Sequence, residues 1–236
     1  MTTPIPLLLS QEHNCSYLDG KMACSTFVDP SCKLTTAIYT KLIMQGFRRN
    51  GDIAYKPCCQ KCISCVPSRL VVSKFAINRS QKRCWKKNRN TQVIVKSACF
   101  EQEHYDMYLR YQAIRHDNGS AVNSSPQDYI GFLKSSWCES RFIEFLIEGE
   151  LAAVAVIDEL EDSWSAVYTF FEPKFADHSL GVYAVLWEID QLQKQKREFL
   201  YLGFWIKACK KMTYKSNYQP MQLLIDNQWV YYSEGM

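Results

Sequence analysis

At 236 residues, with 47% hydrophobic and 14% aromatic content, the chain can build one large core or two small ones, and its composition excludes a disordered protein. The net charge of +4 conceals an asymmetry: eleven basic residues and no acidic one lie between Asp52 and Glu101, leaving 17 basic against 24 acidic residues elsewhere. No apolar run is long enough to span a bilayer and the first residues lack the basic start of a secretory signal. Eleven cysteines without such a signal imply reduced thiols in the cytoplasm rather than a disulfide framework.

Residues 1–30 read as irregular, with turn signals at Asp19-Gly20 and Asp29-Pro30. Lys33 to Gln45 has helical periodicity and stops at Gly46, a residue suited to the position after a helix end. GFRRNGDIAYKP reads as a turn into a strand, Arg69 to Phe75 as a strand, and Arg79 to Asn88 as a basic helix. Glu101 to His116 should be a helix carrying Tyr105, Tyr108 and Tyr111. Ser125-Pro126 should open the next, serine as cap and proline in the first turn. The apolar runs on either side of Glu148-Gly149-Glu150 predict a hairpin, with SWSAVYTFFEP as a third strand. Ser179 to Glu198 follows as a long amphipathic helix, FLYLGF as a strand and Ile206 to Tyr214 as a helix. The expected class is α+β: a small cysteine-bearing, basic region over residues 1–100, then a transferase-like half over 101–236 with a mainly antiparallel sheet and flanking helices.

Two patterns carry chemistry. Cys59, Cys62 and Cys65 form C-x-x-C-x-x-C, the spacing of zinc knuckles and iron–sulfur sites, and tetrahedral closure needs a fourth thiolate. Cys15 is the best candidate, with Cys58 and Cys24 as alternatives; the plain competing reading is three packed thiols. On a helix, Arg79, Lys82, Arg83, Lys86 and Lys87 share one face, which would draw phosphates, and Trp85 and Tyr55 could stack on a base. A solvated helix face is the ordinary use of a charge run, but such a face mixes signs and this one does not.

The blocks FRRNGDIAYKPCCQKCISCVPSR, FAINRSQKRCWKKN, SAVYTFFEP with HSLGVYAVL, and YLGFWIKACKKMTYKSNYQP resemble the aminoacyl-tRNA–protein transferases. The cysteine block followed by P-S-R is similar to their compact bacterial branch, the aspartate/glutamate leucyltransferases; the arginyltransferases are longer relatives. Trp164 departs from the pattern, which has a smaller residue there. The resemblance implies a GNAT-like transferase half. It also implies transfer of leucine, or alternatively arginine, from charged tRNA to proteins beginning with Asp or Glu, marking them for degradation. The partners are then aminoacyl-tRNA and acidic-ended proteins, with neither DNA nor membrane. No cofactor is required for the chemistry, although a structural zinc or iron–sulfur centre is compatible with the thiols.

For such chemistry, backbone N–H groups at a strand break in SAVYTFFEP are candidate oxyanion donors. Tyr168 could protonate the leaving ribose hydroxyl, and Glu172 could act as base. An acidic first residue calls for a fixed cation: Arg115 with His116, or Arg79 or Arg83. Lys207 and Lys211, like Lys82, Arg83, Lys86 and Lys87, are candidates for tRNA phosphates. The reading from another class is a non-catalytic, zinc-dependent RNA-binding protein, which the knuckle and basic strip alone would also fit.

Overall fold

The computed structural model describes residues 4–115 and 124–234. The N-terminal part holds strands Leu7–Leu9 (β1), His13–Asn14 (β2), Met22–Ala23 (β3) and Ser25–Val28 (β4), helix Thr36–Met44 (α1), and strands Arg48–Asn50 (β5) and Ile53–Pro57 (β6). Four of them form a small antiparallel sheet in the order β1-β4-β6-β5, where the sequence suggests an irregular start. Thr35 caps α1, its hydroxyl accepting from the Ile38 amide, and Gly46 beyond the helix end has φ +88°.

The rest of the chain supplies Val66–Val71 (β7), Arg79–Lys87 (α2), Gln92–Ser97 (β8), Gln102–Arg115 (α3), Pro126–Leu133 (α4), Glu139–Ile147 (β9), Glu150–Glu159 (β10), Ser163–Phe171 (β11), Leu180–Lys194 (α5), Phe199–Trp205 (β12), Lys210–Thr213 (α6), Met221–Ile225 (β13) and Gln228–Tyr231 (β14). Its eight strands make one sheet in the order β14-β13-β7-β12-β11-β10-β9-β8, antiparallel throughout except for β11 beside β12. The architecture is the expected α+β class. β7 and β8, both before residue 100, are strands of this sheet.

Local chemistry accounts for the elements. Glu148 and Gly149 both take positive φ, 54° and 85°, which suits a two-residue hairpin turn. Ser125 and Asp128 form a reciprocal capping box with Pro126 inside the first turn of α4. β10 is buried on both faces, and its alternation divides the core. Ala153, Ala155 and Ile157 face α5; Val154 and Val156 face the tyrosines of α3 and α4. Two expected elements are shorter. The strand at 69–75 ends at Val71 and turns through a 3-10 segment, Val72–Lys74, and α6 covers only four of the residues expected to be helical.

Candidate active site

The parallel pair at the centre of the sheet opens. β11 and β12 are paired only at Ser163↔Phe199, Trp164↔Leu200 and Ser165↔Tyr201. Just beyond, each strand carries a bulge against its outer neighbour: Val167 of β11 has no partner on β10, and Leu202 of β12 has none on β7. A bulge bends and twists its strand, so two of them side by side drive the strands apart. Gly203 takes φ +80° there, a conformation that an L side chain rarely adopts. The strand break expected in SAVYTFFEP is this bulge, and beyond Ser165 the inner backbone edge of β11 has no ladder partner on β12.

The vertex of the opening is held by β5. Adjacent side chains of a strand point to opposite faces, and Arg48 and Arg49 use both. Arg49 is buried and forms a two-pronged pair with Asp158 of β10, Nε and Nη2 each 2.6 Å from a carboxylate oxygen. It also donates to the Leu133 carbonyl at 2.8 Å and to Ser140 Oγ at 3.1 Å. Arg48, half-buried, donates to Ser165 Oγ at 2.7 Å and to the Ala166 carbonyl at 2.6 Å. A Cβ on Gly203 would lie 3.4 Å from Arg48 Nε. On the neighbouring residue, the Phe204 carbonyl accepts a hydrogen bond from the buried Lys215 ammonium. Burial and the Arg48 charge bring Lys215 down to about 7. Neither cation has a carboxylate within 4.0 Å among the described residues.

α2 packs beside α5 and is tied to the segments that follow the two strands: Asn88 donates to the His178 carbonyl, between β11 and α5 (2.9 Å), and Gln81 donates to the Asn217 carbonyl, between α6 and β13 (3.0 Å). Its outer face presents Arg79, Lys82, Arg83, Lys86 and Lys87, all exposed and none paired with an acid among the described residues. Lys87 donates to the Asp177 carbonyl. Not every basic residue of the acid-free stretch belongs to this face. Arg69 is buried with its guanidinium 3.6 Å from the Phe199 ring centre, and Lys96 is paired with Glu101 and Glu144. Trp85 is turned inward onto Tyr183 (5.4 Å between ring centres), and Tyr55 packs near Phe204, so neither stands on the basic face.

The other sequence candidates fall as follows. Tyr168, on β11 just past the bulge, accepts a hydrogen bond from Gln112 Nε2 at 3.0 Å and packs against Tyr108 and Phe132. Glu172, at the end of β11, is gripped by Arg110, the closest contact 2.7 Å. Lys207 is exposed in the turn after β12, and Lys211 is exposed within the short α6. Arg115 ends α3 with its side chain outside the described residues, and His116 lies outside them altogether. Arg48, Arg49 and Lys215 escaped the sequence reading; the only signal for them is their place beside the FRRNG turn and in the KMTYK block.

Cys15, Cys59, Cys62 and Cys65 line a single cavity of about 520 Å³, together with Cys24, Cys58 and the rings of Tyr17, Tyr55 and Phe204. Burial and the neighbouring thiols of Cys15, Cys59 and Cys62 push the Cys65 thiol up to about 11. No three of these sulfurs lie within 4.8 Å of one another among the described residues. Glu101, His104 and Glu144 do bring their donors that close, but Lys96 Nζ lies 3.0 Å and 2.6 Å from the two carboxylates, so that cluster already carries its cation.

The chain matches two family models, the N terminus of the arginine-tRNA-protein transferases over residues 13–83 and their C terminus over residues 103–225. It is 46% identical over 221 residues to an aspartate/glutamate leucyltransferase of Pseudomonas fluorescens, covering 94% of each chain. It is 43% identical to those of Hahella chejuensis (93% of this chain, 94% of that one) and Saccharophagus degradans (96% of each).

Proposed function

The chain belongs to the arginine-tRNA-protein transferase family, and from that premise we propose that it transfers leucine from leucyl-tRNA to the N-terminal amine of proteins beginning with Asp or Glu. The observation that carries this reading is the near-full-length likeness to aspartate/glutamate leucyltransferases. The open parallel pair supports it, because a non-catalytic RNA-binding module has no need of a cleft behind its basic face.

The reaction is aminolysis of an ester. The acceptor amine attacks the leucyl carbonyl carbon, a C–N bond forms, the C–O bond to the terminal ribose breaks, and the amine proton leaves as the ribose hydroxyl takes one up. An N-terminal amine has a pKa of about 7.7–8.0, so a useful fraction is neutral near pH 7 and positioning dominates the work. The basic face of α2, with Lys207 and Lys211, holds tRNA phosphates at the mouth. Backbone N–H groups of β11 at the Val167 bulge face the developing oxyanion. Tyr168 stands one residue on and is oriented by Gln112 to protonate the leaving hydroxyl; Glu172, held by Arg110, is the candidate base. Cys15, Cys59, Cys62 and Cys65 would hold a zinc ion or iron–sulfur cluster, which would supply cross-linking of the loop 59–65 to the chain at residue 15 rather than chemistry. The reaction takes place in the cytoplasm, where thiols stay reduced.

The test is a panel of purified charged tRNAs against peptides differing only in their first residue. Labelled leucine should pass to Asp and Glu peptides from leucyl-tRNA alone, without ATP. Transfer from arginyl-tRNA instead would move the chain to the arginine branch, and incorporation of free leucine with ATP and no tRNA would overturn the mechanism.

A further inference from the structure

The vertex of the opened strand pair holds more positive charge than the described residues balance. Arg48 reaches it from β5 and Lys215 from the segment after α6, and they meet two adjacent residues of β12, Gly203 and Phe204. Every described hydrogen-bond partner of Arg48 is neutral: Ser165 Oγ and the Ala166 carbonyl. Lys215 likewise has only a carbonyl and the Met212 sulfur, and 6% of its surface is exposed. A buried ammonium within electrostatic reach of a guanidinium is costly, so it either sheds its proton or meets an anion. Proteins keep such a pair where a ligand supplies the missing charge.

We propose that Arg48 and Lys215 bind the side-chain carboxylate of the acceptor's first residue and so set the preference for Asp and Glu. This rests on the transferase reading above and adds the residues that select the acceptor. The position suits that role, since the carboxylate would lie at the vertex with the acceptor amine a few atoms away along the unpaired edge of β11. Tyr55 and Phe204 line the thiol cavity; the Phe204 carbonyl is the one Lys215 holds, and Tyr55 lies within electrostatic reach of Arg48. The recess favours one acidic side chain over a tRNA phosphate. Lys215, 6% exposed, is too deep for a bulky phosphodiester chain, whereas a single side-chain carboxylate at a free chain end is the smaller anion. Arg79 and Arg83, the sequence candidates, stand on the open outer face of α2 instead.

The test compares kcat/KM for peptides beginning with Asp, Asn, Glu or Gln in the wild-type protein, Lys215→Met and Arg48→Lys, with the Kd for leucyl-tRNA measured alongside. Lys215→Met removes a buried amine that has no carboxylate partner among the described residues and is expected to fold with an unchanged or higher Tm. It should lower kcat/KM on the Asp peptide roughly 30-fold or more, mainly through KM, while the Asn peptide changes little. Arg48→Lys keeps a charge but loses the fork and should fall between. The Kd for leucyl-tRNA should stay within about twofold. An Asp-to-Asn ratio unchanged from wild type in folded Lys215→Met would overturn the proposal, as would a weakened leucyl-tRNA Kd at constant ratio, which would make the vertex a phosphate site. Wild-type protein that transfers leucine to no peptide would remove the transferase reading and this inference with it.

Discussion

Glu188 sits on α5 with 1% of its surface exposed and neither carboxylate oxygen hydrogen-bonded among the described residues. Burial raises it from an ordinary 4.5 to about 8, so the native state retains a proton that the unfolded chain has released between those values. Its contribution to stability is therefore whole below about pH 4.5, declines as pH rises, and is fully lost above about pH 8. Glu188→Leu should flatten the pH dependence of the urea midpoint over this window and stabilise the protein at pH 8 by a few kcal/mol. An unchanged profile would mean that Glu188 meets a partner in solution. Arg49 makes the opposite case. Arg49→Met strands the buried Asp158 carboxylate and should cost about 3–5 kcal/mol in urea unfolding, while replacing both partners by apolar residues should recover most of the loss. At this scale the sequence was least legible. Arg48 and Lys215 look like any surface cation in a linear reading, because what distinguishes them is burial produced by strands distant in the chain.

Helix α2 was legible as an element because its charge and its period coincide, and the Asn78–Gln81 capping box fixes its start. Its docking was not. Gln81 and Asn88 read as ordinary polar residues, yet they tie the helix to the segments that follow β11 and β12. The double variant Arg83→Ala/Lys86→Ala should weaken tRNA binding and reduce the log–log salt slope by roughly 1 to 2, with no change in melting temperature since both side chains are exposed. An unchanged slope would place the tRNA footprint elsewhere. The hairpin at Glu148-Gly149 and the start of α4 at Ser125-Pro126 were readable since turn and cap chemistry is local. Strand β8 was missed: QVIVKS follows a basic run and is an edge strand, so it lacks the long apolar signal of β10. A break within SAVYTFFEP is expected from the sequence, but its consequence, the opening between β11 and β12, is not, since the pairing of the two strands and the second bulge at Leu202 exist only relative to partner strands.

For the whole molecule, the thiol cavity and the sheet are joined through the β5–β6 hairpin, whose chain continues into residues 58–65. Cys65→Ser should therefore lower thermal stability and tRNA affinity together if the thiols hold a metal or cluster, because binding energy there is folding energy. Protein prepared with and without oxygen should be assayed for zinc, iron and sulfide. Finding none in either, with full transfer activity and an unshifted Cys65→Ser melting curve, would reduce the four thiols to packing. Spacing groups three of these cysteines in the sequence, and all four line one cavity, yet the sequence could not show that Tyr17 and Tyr55 share it, which depends on how β6 pairs with β4.

Arg48 and Arg49 are neighbours on one short strand, and their different roles follow solely from which is odd and which is even in the pleat. A single inserted or deleted codon between the Gly46 turn and Arg48 would exchange them, sending the fold's buried anchor to the cleft and the cleft's cation to Asp158. Inherited change in this hairpin is thus constrained in length more severely than in composition, and a population of variants should show substitutions there long before it shows an indel.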